Sequence, residues 1–162
     1  MQSRDVALRA SFTALVFIAT AIIPPIPISA TGGYLNFGES VIFISALLFG
    51  GVTGGFAGGV GAALADLALG FGSFAPITLV VKGVEGYLVG VIGQGAPMRR
   101  RLLAVIVGGV VLVTGYFIFE VALFGLPAAL VEVPFNVLQA VVGIIISLSV
   151  VQTLERRKGN TY

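Results

Sequence analysis

Long apolar segments follow one another along this sequence, separated by short stretches rich in glycine and proline. A helix that spans a bilayer needs roughly 17 to 25 mainly apolar residues, and most of these segments reach that length. Only 10% of the residues are charged, whereas a soluble domain carries about 25% because water must solvate its surface. We therefore expect lipid to cover most of this chain, as an all-α polytopic membrane protein.

Six helices are predicted, all within one membrane domain. Their expected bounds are about 6–23, 37–49, 50–70, 76–92, 102–124 and 135–154, in a domain that covers residues 1–162. The first segment is expected to be retained, because no small-residue cleavage site followed by a soluble domain comes after it. Pro24 and Pro25 end this helix, since proline disfavours helical backbone. An ordered loop is expected over 26–36 and a second loop over 125–134, where glycine and proline recur.

The basic residues determine the expected orientation. They lie before the first helix, between the fourth and the fifth, and after the sixth: Arg4, Arg9, Arg99, Arg100, Arg101, Arg156, Arg157 and Lys158. Lys and Arg are retained in short cytoplasmic loops, and six helices place all three groups on one side. Both termini are therefore predicted to be cytoplasmic. This topology accounts for the net charge of +2, so no nucleic-acid partner is expected.

The other charged residues away from the termini form a second pattern. On this topology they fall in the outer half of the membrane or in an outer loop: Glu39, Asp66, Lys82, Glu85, Glu120 and Glu132. A charge at the bilayer centre costs about 2.5 to 3.5 kcal/mol on insertion scales, so such residues are paired, hydrated or functional. Polar groups on one side only favour capture of a small molecule from outside, because a channel needs them across the full depth.

Simpler explanations exist for individual residues. Glu39 at the start of helix 2 and Glu132 in the predicted outer loop hold positions from which carboxylates reach interfacial water. Lys82 lies deeper, with Glu85 three residues on as the expected partner, and the two form either a structural ion pair or part of a binding site. Aromatic residues at the same end, such as Tyr34 and Phe74, either stack on a planar ligand or form an interfacial belt.

Several functional classes are excluded by composition. The sequence has no Cys and no His, which removes thiol catalysis, imidazole acid–base chemistry and His-based metal sites. No G-x-x-x-x-G-K-[ST] motif occurs, so ATP hydrolysis at such a loop is excluded as well. We expect a protein that is not an enzyme and holds neither a metal nor a cofactor. Glycines spaced by four residues, such as Gly50, Gly54 and Gly58, predict close helix packing.

Four short stretches carry a resemblance to a known family. They are Ala10 with Ala14, the segment 32–39 (GGYLNFGE), the segment 63–67 (ALADL) and the segment 82–86 (KGVEG). Together with six helices and cytoplasmic termini, they resemble the substrate-binding S components of energy-coupling factor (ECF) vitamin transporters, particularly the riboflavin-type branch.

The resemblance implies a division of labour. An S component captures a vitamin or related micronutrient outside the plasma membrane of a prokaryote. Ala10 and Ala14 would contact a membrane coupling subunit, which two ATPase subunits drive. The implied substrate-site residues are Asn36, Glu39, Asp66, Lys82, Glu85, Tyr116, Glu120, Asn136 and Gln139.

The substrate and two other functions stay open at this point. Riboflavin, a pyrimidine precursor of thiamine and a pantothenate-like compound are candidates, while the absence of Trp weighs against thiamine-type recognition. One Lys and several carboxylates suit either an anionic or a neutral polar ligand. A stand-alone secondary transporter or proton-coupled channel would instead use Asp66, Lys82 and Glu85 as relay groups. A structural membrane subunit would bind no ligand.

Overall fold

The computed structural model describes residues 3–22, 26–28 and 33–159. The elements in chain order are α1 (Ser3–Ala21), β1 (Ile26–Ile28), β2 (Gly33–Leu35), α2 (Gly38–Phe49), α3 (Gly51–Leu69), α4 (Ala75–Gly93), α5 (Met98–Phe124) and α6 (Leu126–Gly159). Within these residues, α3 to α6 are long and apolar enough to cross a membrane. The 12 residues of α2 extend about 18 Å at 1.5 Å per residue, less than a bilayer core. The predicted all-α membrane fold is confirmed.

The cytoplasmic end of the bundle is where the predicted basic groups meet. The start of α1 lies against the α2–α3 junction and the end of α4, where Arg4, Gly51 and Gln94 line one groove. Arg101 at the start of α5 donates to both carboxylate oxygens of Glu155 near the end of α6, at 2.5 and 2.7 Å. All these segments therefore share the end that positive-inside topology assigns to the cytoplasm.

Helix α3 approaches α4 closely enough that only glycine fits at the contact. A Cβ added at Gly58 would lie 2.7 Å from the carbonyl oxygen of Lys82 and 3.0 Å from Cγ2 of Ile42. Contacts this short do not occur for a real side chain, so the missing Cβ permits the helices to meet. Small residues serve this purpose in lipid, where helix association depends on close van der Waals packing. The packing predicted from the glycine spacing is present here, and it holds the Lys82 backbone deep in the bundle.

An apolar core fills the cytoplasmic half of the bundle. Its buried members come from all six helices: Val16, Ile42, Phe43, Ala46, Leu47, Ala57, Ala62, Val89, Ala104, Val105 and Val151. A second cluster, which includes Phe74, Val81 and Leu112, packs in the outer half. Phe74 and Tyr116 of the second cluster also line the polar cavity described below.

The predicted loop over 125–134 is wrong. Gly125 alone separates α5 from α6, and α6 begins at Leu126 and continues through Pro134. Pro127 stands in the first turn, where its missing N–H leaves no intrahelical bond unmade. An internal proline such as Pro134 is tolerated in membrane helices, because neighbouring groups satisfy the freed backbone. The rule that proline ends a helix applies to soluble proteins. Here it predicted a loop in a segment that is helical in the membrane protein.

A short hairpin joins α1 to α2. Strands β1 and β2 pair antiparallel, with Ile26 opposite Leu35 and Ile28 opposite Gly33. The predicted ordered loop over 26–36 therefore contains a two-stranded sheet, which the sequence did not reveal. The expected helix end at Pro24 and Pro25 lies outside the described residues, and α1 is helical to Ala21.

Candidate functional site

A cavity of about 40 Å³ lies at the outer end of the bundle, opposite the cytoplasmic end. Every helix except α2 contributes to its wall, as do β2 and the residue after it. Its lining residues, which define the outer cavity below, are Thr20, Tyr34, Asn36, Ala62, Asp66, Phe74, Thr78, Lys82, Tyr116, Glu120, Glu132, Asn136 and Gln139. Most of these side chains carry a polar group, which is unusual for a wall buried inside a membrane protein.

The structure brings most of the predicted site residues together. Seven of them line the outer cavity: Asn36, Asp66, Lys82, Tyr116, Glu120, Asn136 and Gln139. Glu39 and Glu85 do not line it, and lie behind Lys82 instead. Asn36 follows β2 directly, and the other six residues lie on the four helices α3 to α6. Only the packing of the bundle makes them neighbours.

Lys82 is held by two carboxylates in the middle of the bundle. Its Nζ forms an ion pair with Glu39 Oε2 and lies 3.8 Å from Glu85 Oε1. Gln139 Nε2 donates to the same Glu39 oxygen at 3.2 Å. The exposed fractions of Lys82, Glu39 and Glu85 are 2%, 0% and 0%. The closest partner of Lys82 is therefore Glu39. Glu85, the partner expected from the sequence, makes only the longer contact.

Two simpler explanations fail for the carboxylates. Glu39 is completely buried and Glu132 is 2% exposed, so neither reaches interfacial water. Glu132 was expected in a loop, but it lies on α6 and lines the outer cavity. Buried charges persist only with partners or a function, and the position of Glu132 in the cavity wall is consistent with a function.

Apolar side chains close the outer cavity on its inner side. Phe43 stands one helical turn beyond Glu39 on α2, and Val89 stands one turn beyond Glu85 on α4. Both are completely buried in the apolar core. Below the Glu39–Lys82–Glu85 group (the triad), the bundle is therefore packed with apolar side chains. This arrangement forms a pocket that opens outward.

The hairpin covers part of the outer cavity through two hydrogen bonds. The Tyr34 hydroxyl donates to Asp66 Oδ1 at 2.6 Å, and the Asn36 backbone N–H donates to Gln139 Oε1 at 3.0 Å. Burial raises the pKa of the Tyr34 phenol above its usual value, and the adjacent Asp66 carboxylate raises it further. The phenol therefore stays protonated and acts as a donor. Its ring packs on Phe71 with centroids 4.7 Å apart.

Other wall residues were missed by the sequence analysis or given another role. Thr78 was not singled out, although it shares the Lys82 face of α4 one turn earlier; its hydroxyl lies 2.8 Å from the Tyr116 hydroxyl. Thr20 and Ala62 carried no signal of their own. Tyr34 and Phe74 were considered only as stacking or belt residues. Thr78 lies four residues before Lys82, and Ala62 lies four residues before Asp66, so each pair shares one helix face. This spacing is the signal by which the sequence could have identified Thr78 and Ala62.

Several polar atoms of the cavity wall lack a protein partner. Among the described residues, Asp66 Oδ2, Glu120 Oε2 and Asn136 Nδ2 are buried and accept or donate no hydrogen bond. Buried polar groups are nearly always hydrogen-bonded, so unmatched ones point to a role for a bound molecule. No group of three or more Asp or Glu side chains in the described part of the chain is arranged to hold a metal ion.

The predicted partner-binding residues lie elsewhere. Ala10 and Ala14 are on α1 near the cytoplasmic end, and both are exposed on the surface of the bundle. Neither lines the outer cavity. Their face of α1 thus meets lipid or another protein and makes no contribution to the wall around Lys82.

Comparisons with known proteins agree with this architecture. A family profile described as "ECF-type riboflavin transporter, S component" matches residues 1–156. An "Uncharacterized protein in gap 3′ region" of Pyrococcus woesei is 45% identical over 141 residues, which are 86% of this chain and 95% of that protein. The thiamine precursor transporter HmpT of Lactococcus lactis subsp. cremoris is 30% identical over 154 residues, 94% of this chain and 89% of that one.

A solved structure shares the fold. It is described as the S component of a bacterial ECF transporter, and it matches with a TM-score of 0.70 over 96% of this chain and 98% of that one. Its sequence identity of 15% is too low to transfer a ligand, so it supports the arrangement of helices alone.

Proposed function

This chain belongs to the family of S components of ECF-type riboflavin transporters, and from that premise we propose that the outer cavity is its vitamin-binding site. As a member of this family it is a multi-pass plasma-membrane protein that binds substrate for vitamin uptake. The observation that carries the proposal is the outer cavity itself. It gathers polar side chains from six parts of the chain and is closed toward the cytoplasm by the apolar core.

The proposed roles follow from position. Asp66, Glu120 and Asn136 supply unpartnered polar atoms to the ligand, and Gln139 joins the hairpin to the triad. Glu39 and Glu85 keep Lys82 in place behind the cavity wall. This arrangement fixes polar groups before a ligand arrives, which reduces the ordering cost of binding.

The ligand class combines a planar ring with polar substituents. Phe74 and Tyr116 provide aromatic surface in the cavity wall, while the remaining lining is mainly polar. Riboflavin and the pyrimidine precursor of thiamine both have this character. The family profile is described for riboflavin, and one relative is a thiamine precursor transporter. We propose a ligand from these two vitamin pathways.

The partners proposed are a membrane coupling subunit and two ATPase subunits. No phosphate-binding loop motif occurs in this chain, which fits a division of labour in which other subunits hydrolyse ATP. Ala10 and Ala14 are exposed near the cytoplasmic end of α1. Two small side chains one turn apart permit a partner helix to approach closely, which supports this face as the contact with the coupling subunit.

Ligand titration of the isolated protein tests the proposal. Protein purified in detergent without added vitamin is titrated with riboflavin and with hydroxymethyl-aminopyrimidine, using calorimetry. We expect one of them to bind one-to-one with a Kd on the order of nanomolar, about −12 kcal/mol. Failure of both to bind would contradict the proposal. Mass spectrometry of the purified protein identifies any ligand carried from the cell.

The alternative of a stand-alone transporter or channel has a separate test. A transport path requires polar groups across the full depth, but the apolar core occupies the half below the triad. Vesicles that contain this protein alone are therefore expected to accumulate no vitamin above protein-free vesicles. Uptake without the coupling and ATPase subunits would favour the alternative.

A further inference from the structure

We infer that the outer cavity accepts its ligand only in a form that carries no negative charge, and therefore discriminates against phosphorylated vitamins. This inference rests on the proposed function, since it concerns the ligand of the same site. It favours neutral ligands over anionic ones, which the sequence left equally possible.

The single basic residue of the cavity wall is already occupied. Lys82 Nζ pairs with Glu39 and also lies 3.8 Å from Glu85. Between Arg9 and Arg99 the sequence contains no other Lys, Arg or His, and the remaining basic residues belong to the cytoplasmic end. An anionic ligand would thus find no cation that lacks a counter-ion. Drawing Lys82 away from Glu39 would leave a buried carboxylate unpaired, which is strongly destabilising.

Acidic groups dominate the rest of the wall. Asp66, Glu120 and Glu132 all line the outer cavity, and their exposed fractions are 3%, 2% and 2%. Glu120 and Glu132 lie close enough to interact electrostatically. With Glu39 and Glu85 behind Lys82, acidic side chains outnumber basic ones at this end of the bundle. A phosphate placed among them would face carboxyl oxygens and no free cation, in a medium that screens repulsion poorly.

The unpartnered atoms show what the ligand must offer. Glu120 Oε2 and Asp66 Oδ2 are buried acceptors without a donor among the described residues. A ligand satisfies them with N–H or O–H groups. The amino group of an aminopyrimidine donates to a carboxylate, its ring nitrogen donates alongside when it is protonated, and sugar-alcohol hydroxyls donate singly. Both kinds of group are neutral or cationic donors, whereas a phosphate ester presents mainly acceptors.

The test compares each vitamin with its own phosphate ester. Riboflavin, riboflavin phosphate, hydroxymethyl-aminopyrimidine and its phosphate are titrated separately into the purified protein at one ionic strength. Like charges in contact weaken binding, so we expect the phosphate of the bound compound to bind at least ~100-fold more weakly than the alcohol. A phosphate that binds equally or more tightly overturns the inference and leaves the proposed site standing. If none of the four binds, the proposed function fails and this inference fails with it.

A charge-neutralising variant identifies the cause of the discrimination. Glu120→Gln keeps the side-chain size and removes one carboxylate from the wall, so the affinity ratio of alcohol to phosphate should fall by roughly tenfold. Glu155→Gln is the matched control, because Glu155 lies at the cytoplasmic end beside Arg101. The affinity ratio of alcohol to phosphate in this variant should equal that of the unmodified protein. An unchanged ratio in Glu120→Gln, in a protein that still binds the alcohol, would assign the discrimination to shape and contradict the electrostatic cause.

Discussion

Lys82 on α4 pairs with Glu39 on α2 across 43 residues of sequence, more closely than with Glu85 on its own helix. The ion pair therefore joins two helices at the inner boundary of the outer cavity. Gln139 on α6 donates to the same Glu39 oxygen, so three helices meet at one carboxylate. The stability of the bundle and the shape of the binding site are consequently expected to depend on the same few atoms.

Loss of Lys82 should destabilise the protein strongly. Lys82→Met keeps the length of the side chain but leaves Glu39 and Glu85 without a cation, and breaking a buried pair costs about 3–5 kcal/mol. Thermal unfolding in detergent should show a lowered Tm, and Glu39→Gln added to Lys82→Met should recover part of it. Arg101→Gln is the control, because its partner Glu155 is 47% exposed and pairs of that kind contribute about 1 kcal/mol or less. Equal effects of the two single variants would contradict the role given to the triad.

A methyl group at Gly143 should disturb the triad without removing any charge. A Cβ added there would lie 2.7 Å from Cγ of Glu39, so Gly143→Ala should displace that carboxylate. Overpacking of this kind costs about 1–3 kcal/mol, and we expect both a lower Tm and weaker ligand binding. Gly83→Ala is the matched control, since its nearest atom lies 3.7 Å away. If Gly143→Ala behaves like Gly83→Ala, the close approach of α6 to Glu39 is not a constraint.

The hairpin should contribute to ligand retention through Tyr34. Tyr34→Phe removes the hydroxyl that donates to Asp66 at 2.6 Å, and a hydrogen bond to a charged group contributes about 1.5–3 kcal/mol. We expect ligand dissociation to accelerate by roughly tenfold or more, measured by competition with unlabelled ligand. Tyr87→Phe provides the comparison, because Tyr87 is 49% exposed and does not line the outer cavity. Identical dissociation rates for the two variants would show that the hairpin does not hold the ligand through this bond.

Large side chains on α1 should separate assembly from ligand binding. Ala10→Trp and Ala14→Trp fill the exposed small-residue face near the cytoplasmic end, so copurification with the coupling subunit should be lost. Ligand affinity of the isolated variants should stay unchanged, since neither residue lines the outer cavity. Leu103→Trp on α5, where Leu103 is 56% exposed, is the control for a bulky surface residue. Copurification that survives both alanine substitutions would refute this contact.

Much of the fold followed from the sequence alone. Apolar segments of spanning length were sufficient to predict the six helices that the structure has. The three basic groups predicted their orientation, with both termini cytoplasmic. Each of these features is local, because a segment inserts into the bilayer according to its own hydrophobicity and its flanking charges. The same local rules failed at 125–134, where glycine and proline predicted a loop and the structure has α6.

Only part of the candidate site could be predicted from the sequence. The sequence identified Asn36, Asp66 and Gln139 as candidates, but it paired Lys82 with Glu85 because that neighbour is three residues away. Glu132 was placed in a loop, so its position in the cavity wall was missed. Thr20 and Thr78 carry no charge, and their role depends entirely on which face each helix turns inward.

Hydrophobicity and charge along the chain were enough to predict a membrane protein, the end that faces the cytoplasm, and the collection of polar groups at the other end. These features can be read from single segments because the transfer of charge into hydrocarbon is costly whatever the neighbouring segments are. That Glu39 is the closest partner of Lys82 became clear only from the packing of the helices. This pairing gives the one basic residue of the described cavity wall a counter-ion. Burial and partner choice depend on which helices touch, and that is set by contacts such as Gly58 against the Lys82 carbonyl.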